Sequence, residues 1–137
     1  MEEIQVESRR RNEMIDITDR LRAVVRRKGV REGAVIAQSL HTTAALTVNE
    51  NADPDVPRDI LAKLEAWAPR SERFYRHAEG NSDSHVKTST VGPTVTLLVH
   101  GGDLVLGPWQ GVFFCEFDGP RRRRVAVQVL RAPEEDP

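Results

Sequence analysis

Residues able to do chemistry are concentrated in three short segments of this 137-residue chain, and the first runs from His41 to Glu50. If residues 44–50 are extended, Leu46, Val48 and Glu50 share one face. The Glu50 carboxylate then lies at the edge of an apolar layer, where it needs an arginine, a metal or a substrate group as its partner. A cap on the following turn, or an exit to solvent at the strand end, accounts for Glu50 equally well.

The second segment, residues 77–87, is mostly polar. In an extended conformation four of its side chains alternate onto one side, namely Asn81, Asp83, His85 and Lys87. An amide, a carboxylate, an imidazole and an ammonium group in one place can hold a metal, move protons or neutralise phosphate. The alternative is an ordinary polar loop, because Gly, Asn, Ser and Asp are common turn formers.

The third segment is the glycine-bracketed run from Gly107 to Gly111. Its Trp109 indole offers a surface on which a planar ring can stack, and the Gln110 amide can hydrogen-bond to the edge of that ring. The other interpretation is a tryptophan that closes the core beneath a turn.

Cysteine and histidine usage limits the kinds of site that the chain can build. The single cysteine, Cys115, excludes a disulfide framework and a metal site made of cysteines alone, and its apolar surroundings predict a core residue. His41, His77 and His85 match no local zinc-binding spacing. A metal site shared by these histidines would therefore have to be assembled by the fold.

Composition narrows the functional class further. Twenty Lys and Arg against 21 Asp and Glu give a net charge of −1, which argues against a nucleic-acid binder held by a large positive field. No apolar stretch approaches 18 residues, and the N-terminus has no apolar signal core. We therefore expect a soluble cytoplasmic protein with neither a membrane nor a nucleic-acid partner, forming a single domain over 1–137 with an acidic tail at about 132–137.

The hydrophobic pattern predicts an α+β fold of about seven strands and two main helices. Helices are predicted from the Asp16-Ile17-Thr18 cap to Gly29 and from Asp53 to Trp67. Strands are predicted at 3–7, 34–39, 44–49, 95–99, 103–106, 112–117 and 124–130. No helix separates the last four strands, so they should pair antiparallel, with a hairpin turn at Gly101-Gly102. Strands this short favour a strongly curved or a two-layered sheet, and the predicted class is α+β with a mainly antiparallel sheet.

Taken in order, the polar segments resemble the signatures of the YjbQ-like family. Residues 41–51 (HTTAALTVNEN) with Asp53-Pro54 resemble its first signature, and residues 77–87 resemble its second. The third is matched by Gly107 with Trp109-Gln110-Gly111, followed by residues 116–121 (EFDGPR). The likeness extends over about residues 3–131.

The resemblance implies a two-layered antiparallel α+β fold, a homotrimer and a weak, secondary thiamine-phosphate synthase activity. That reaction joins hydroxymethylpyrimidine diphosphate to thiazole phosphate and releases pyrophosphate, so the expected ligand is a small phosphorylated metabolite. It also implies a divalent metal, Zn or Mg, and no organic cofactor. By position, the resemblance implies that these polar residues share one pocket. Within it we expect the metal ligands to be His41, His77 and His85, the catalytic residues Glu50, Asp83 and Lys87, and the substrate-binding residues Asn81, Trp109 and Gln110.

Two other functions fit the same residues. A metal-bound water could hydrolyse a phosphorylated small molecule. Alternatively, a non-catalytic module could bind such a metabolite and would need no general base.

Overall fold

A computed structural model describes residues 1–133 and has an α+β fold, as predicted. The strands are β1 (Glu2–Glu7), β2 (Glu13–Asp16), β3 (Glu32–Ser39), β4 (Ala44–Glu50), β5 (Thr94–His100), β6 (Asp103–Leu104), β7 (Gln110–Glu116) and β8 (Arg122–Arg131). The helices are α1 (Thr18–Lys28), α2 (Asp55–Trp67) and α3 (Ser82–Val91). Within residues 1–133 no helix has the length and apolar character needed to cross a bilayer. Most of the predicted acidic tail, 134–137, lies outside the described residues.

The strands form two antiparallel sheets, one of five strands in the order β1-β8-β3-β5-β6 and one of three in the order β2-β7-β4. The hairpin between β5 and β6 turns at Gly101 and Gly102, as predicted, and both have the positive φ angles that a two-residue turn of this kind requires. The expectation that the last four strands pair with one another is correct only for β5 and β6. Strand β7 pairs with β2 and β4, whereas β8 pairs with β1 and β3.

Strand β7 takes the centre of the small sheet because it is apolar on both faces. Val112 and Phe114 pack into the core between the two sheets, which α1 also joins. Phe113 and Cys115 point the other way, into a smaller cluster that includes side chains of α2 and α3. Burial raises the pKa of the Cys115 thiol to about 12, which agrees with the predicted core role.

Helix α3 is the main element that the sequence pattern does not reveal, and the extended conformation considered for residues 81–87 is wrong. The buried residues of α3 are polar: Asp83, Ser84, Lys87 and Thr88. Without an apolar stripe the segment lacks the usual sign of a helix. Strand β2 escaped prediction because it has only four residues.

Gly33 allows β3 and β8 to approach closely. A Cβ atom at this position would overlap the Leu130 carbonyl oxygen and lie 2.9 Å from its carbonyl carbon. Because both groups belong to paired backbones, neither can move aside cheaply. We therefore expect Gly33→Ala to lower the free energy of unfolding by about 1–3 kcal/mol in urea titration. Gln38→Ala, at an exposed site of the same strand, is the control and should change it by less than about 0.5 kcal/mol.

Candidate functional site

A polar cavity of about 290 Å³ lies at the end of the small sheet where β4 begins and β7 ends. The residues that follow β3, the start of α3 and the turn between β7 and β8 supply its walls. The lining residues are Leu40, His41, Thr42, Thr43, Glu79, Asn81, His85, Asp118, Arg121 and Arg123. Two arginines thus face two carboxylates, together with two histidines and an amide.

A buried ion pair between Glu116 and Arg123 supports the cavity wall. The Glu116 carboxylate accepts hydrogen bonds from Arg123 Nε at 2.8 Å, from Ser8 Oγ at 2.6 Å and from the Asp118 N–H at 3.0 Å. Burial alone would raise the pKa of Glu116, but these hydrogen bonds outweigh it, and the pKa lies below its ordinary value. Arg123 also donates to Thr43 Oγ1 at 2.9 Å, which fixes the start of β4.

His41 follows β3 and is half-buried against the first residues of β8. Its Nε2 accepts a hydrogen bond from the Arg124 backbone N–H at 2.8 Å. Partial burial and the charges of Arg123 and Arg124 lower the pKa of this imidazole below its ordinary value. His41 is therefore neutral at pH 7.

Asn81, the residue that precedes α3, is 5% exposed and lies beside the β7–β8 turn. Its Nδ2 donates to Asp118 Oδ2 at 2.8 Å, and Arg121 Nη2 donates to the same oxygen at 3.1 Å. Within residues 1–133, the buried Asn81 Oδ1 accepts no hydrogen bond. Asp118 thus holds the residue before α3 and the Arg121 guanidinium next to each other.

The helical conformation of α3 divides the four side chains that an extended segment would align. Residues four apart share a helix face, so Asn81 and His85 lie at the cavity, while Asp83 and Lys87 point into the protein. Asp83 accepts two hydrogen bonds of 3.0 Å from Arg11 and one of 3.0 Å from Lys87. Lys87 also donates to Glu65 at 2.7 Å.

Lys87 and Asp83 at the centre of this inward network are buried, at 1% and 0% exposed, whereas Glu65 at its edge is half-exposed. Burial by itself raises the pKa of Asp83, but the hydrogen bonds from Arg11 and Lys87 lower it below its ordinary value. The network ties α3 to α2 and to the loop after β1. The structure therefore does not bring the predicted catalytic residues Asp83 and Lys87 to the cavity.

His77 lies beside the cavity and contacts it through His85. The two rings meet edge to face, with their centroids 5.4 Å apart. His77 Nε2 is also 3.6 Å from a Glu79 carboxylate oxygen, in an exposed pair. Of the three predicted metal ligands, His77 and His85 are thus in direct contact with each other.

The other predicted residues lie at the opposite end of β4. Glu50 pairs with Gln110 in the register of β4 and β7, and its carboxylate accepts the Asp53 N–H at 3.3 Å as a turn cap. Trp109 is exposed, and its carbonyl accepts the Asn51 N–H at 3.0 Å. Six residues of extended chain separate the two ends of β4, or about 20 Å. Within one chain, these groups and His41 do not form a single pocket.

The set of three histidines does not fit a metal site in this arrangement. A neutral imidazole has one N–H and one lone pair, and the Nε2 lone pair of His41 is taken by the Arg124 amide. Its Nδ1 therefore carries the proton, which leaves no lone pair for an ion. Within residues 1–133, no three His, Cys, Asp or Glu side chains are placed to hold a metal together.

The predicted site residues do not include the three that organise the cavity, namely Glu116, Asp118 and Arg123. All three come from the turn between β7 and β8 and its flanks. The run EFDGPR in the third signature was the available signal for Glu116 and Asp118. The run indicated no role for individual residues, because strand pairing determines which of these side chains points inward.

Comparison with known proteins agrees with this architecture. The sequence model of the family described as "UPF0047 protein YjbQ-like" matches residues 2–132. The chain belongs to the YjbQ-like family. It is 44% identical to the UPF0047 protein YugU of Bacillus subtilis over 127 residues, covering 93% of this chain and 96% of the relative.

Solved structures with similar sequences have the same fold. A YjbQ/UPF0047 family protein from Clostridium acetobutylicum superposes with a TM-score of 0.93 at 42% identity, covering 95% of this chain and all of the other. A conserved hypothetical protein from Thermus thermophilus gives 0.89 at 40% identity, with 95% of this chain and all of the other covered. The two-sheet α+β architecture is thus shared with solved relatives.

The Glu116–Arg123 pair predicts a pH-dependent stability. Because the folded-state pKa of Glu116 is lowered, its stabilisation is present above the unfolded-state pKa and is lost as the pH falls through the folded-state value. Glu116→Gln leaves Arg123 buried without its counter-charge and should cost about 3–5 kcal/mol at pH 7. In urea titrations, that difference from the parent should shrink as the pH is lowered below the ordinary glutamate pKa of 4.5.

Glu7→Gln is the matched control, because it removes a carboxylate from an exposed ion pair with Arg122. It should cost no more than about 1 kcal/mol at any pH. A Glu116→Gln effect as small as that of the control would contradict the proposed role of the buried pair.

Proposed function

We propose that the cavity binds a small phosphorylated metabolite, and that the chemistry done there is the coupling implied by the family resemblance. In that reaction a thiazole nitrogen bonds to the methylene carbon of hydroxymethylpyrimidine diphosphate. The carbon–oxygen bond to pyrophosphate breaks, and the leaving group takes the electron pair. The protein would then have to bind phosphate oxygens and stabilise negative charge as it develops on pyrophosphate.

The observation that carries the proposal is the placement of Arg121 beside the start of α3. Both are held by Asp118 Oδ2, at 3.1 Å and 2.8 Å. No side-chain hydrogen bond caps the N-terminus of α3, and Asp83, the acidic residue of its first turn, is paired with Arg11 and Lys87. An arginine next to a helix N-terminus is a favourable arrangement for a phosphate group.

His85 is the cavity residue best suited to proton transfer. It lies one helical turn after Asn81 and on the same face. By contrast, Glu116 and Asp118 are both engaged in hydrogen bonds with protein groups. We assign His85 the role of donating a hydrogen bond or a proton to the departing pyrophosphate.

The engaged carboxylates also favour a second candidate, a non-catalytic module that binds the same class of metabolite. Such a module needs Arg121 and the helix terminus but no general base. The divalent metal stays a prediction, and no step of either function is assigned to it here. Hydrolysis by metal-bound water would be recognised by release of free phosphate without a coupled product.

Calorimetric titration with pyrophosphate and with hydroxymethylpyrimidine diphosphate tests the proposal. Arg121→Ala removes a charged hydrogen-bond donor, which should weaken both affinities about tenfold to a hundredfold. Arg58→Ala, which removes an exposed arginine of α2, should leave them unchanged. His85→Ala should reduce formation of thiamine phosphate while affinity changes by less than about threefold.

The outcomes separate the two candidates. Binding without any coupled product in the parent would support the module and remove the enzyme. If the parent bound neither compound, or if Arg121→Ala bound both as well as the parent does, the assignment of the cavity would be wrong.

We also propose that the chain assembles as a homotrimer through the outer face of the five-stranded sheet. Ala34 pairs with Leu98 on one side and Leu130 on the other, so the three side chains form one row on this face. Leu98 and Leu130 are 65% and 48% exposed. A second copy covering this row would remove exposed apolar surface from water.

Light scattering at micromolar concentration should give three times the mass of one chain. The double variant Leu98→Glu with Leu130→Glu should lower that mass, because it places charges in the proposed contact. Lys63→Glu, on an exposed position of α2, should leave it unchanged. A monomeric parent would contradict the assembly.

A further inference from the structure

His41 has a hydrogen-bonding state that differs from the one its family position implies. The Arg124 backbone N–H donates to its Nε2 at 2.8 Å. A backbone amide can only donate, so Nε2 must be the unprotonated nitrogen of the ring. The single proton of the neutral imidazole is then on Nδ1.

The Nδ1–H group has no partner among the described residues. No hydrogen bond joins it to residues 1–133, and it is not one of the buried unpaired atoms, so it is accessible from outside the protein. His41 itself lines the cavity, near Arg121 and Arg123. The ring therefore presents a fixed donor at the proposed phosphate-binding cavity.

The backbone around His41 fixes the ring in this orientation. The His41 N–H donates to Ser39 Oγ at 3.3 Å, and Ser39 Oγ in turn donates to the Ala44 carbonyl at 2.8 Å. Arg124 is held in place by its neighbour Arg123, whose guanidinium is paired with buried Glu116. Rotation of the ring to free Nε2 would leave the Arg124 amide without its acceptor, at a cost in hydrogen bonding.

We propose that His41 is a neutral hydrogen-bond donor to an anionic oxygen of the ligand, through Nδ1–H, and is not a metal ligand. The Arg124 amide is the positioning group that selects this tautomer. The inference rests on the proposed function, because it names the phosphate group as the acceptor. It departs from the ligand role that the family resemblance implies for His41, and it leaves His77 and His85 as the histidines with an unassigned lone pair.

Nitrogen-15 NMR of the imidazole rings tests the tautomer without any activity assay. The four histidines give four ring spin systems, each assignable by a single substitution. His41 should show protonated Nδ1 and unprotonated Nε2 at pH 7, and added inorganic pyrophosphate should shift the Nδ1–H signal. His100, an exposed histidine paired with Glu32, is the internal control and should not respond.

Zinc chloride alone then tests the metal role. The His41 resonances should stay in place while zinc is added, whatever happens at His77 and His85. A His41 ring protonated on Nε2, or loss of the Nδ1 proton on adding zinc, would overturn the inference.

Affinity for pyrophosphate provides an independent test. His41→Asn keeps an N–H donor near the position of Nδ1 and should bind pyrophosphate within about threefold of the parent. His41→Leu keeps the bulk without the donor and should bind about tenfold more weakly, or worse. Circular dichroism would check that both variants fold.

The proposed function and the donor role of His41 can fail separately. If the parent does not bind pyrophosphate, the proposed function fails, whereas the tautomer can still be measured. If the parent binds and both variants bind equally well, the cavity stands and the donor role of His41 is wrong.

Discussion

The buried pair of Glu116 and Arg123 is the interaction on which the cavity depends. Glu116 receives hydrogen bonds from Ser8, from Arg123 and from the Asp118 backbone, and Arg123 reaches on to Thr43. The ion pair thus joins segments from the start, middle and end of the chain. Two charges taken out of water are stable only when their hydrogen-bonding capacity is satisfied, and here the surrounding backbone and hydroxyl groups complete it. Meeting that requirement positions Thr43 and the turn between β7 and β8, which form part of the cavity wall.

Helix α3 also determines the geometry of the site. Its inner face anchors the helix to the protein, and its outer face contributes side chains to the cavity. The inner face, with Asp83 and Lys87, is an ion-pair network that anchors the helix on α2 and on Arg11. The outer face brings His85 to the cavity, and Asn81 is held there by Asp118. A mostly polar stretch of sequence therefore supplies both the attachment of a helix and part of a binding surface. The stability of the inner face is what allows the outer one to hold its position.

Much of the fold was predictable, and the exceptions have physical causes. Helix α1, most strands and the Gly101-Gly102 hairpin carry strong local signals, namely apolar periodicity and turn glycines. Helix α3 lacks such a signal because its buried face is polar. The sequence segments that line the cavity were also singled out, but the structure places only His41, Asn81 and His85 of the predicted residues in its lining. An extended conformation would align Asp83 and Lys87 with His85, whereas the helix places them on different faces. The roles of Glu116 and Arg123 depend on sheet pairing between distant segments, which local spacing does not contain.

The contacts at Glu116 join residues that are far apart in the sequence, and this affects how the protein folds. Ser8 and Glu116 are 108 positions apart, and Arg124 and His41 are 83 positions apart. Contacts of such high sequence separation are costly in chain entropy and tend to slow folding. A ribosome must therefore complete almost the whole polypeptide before the pocket can exist. Ligand cannot template the early stages of folding, and it can stabilise only chains that have already brought both ends together.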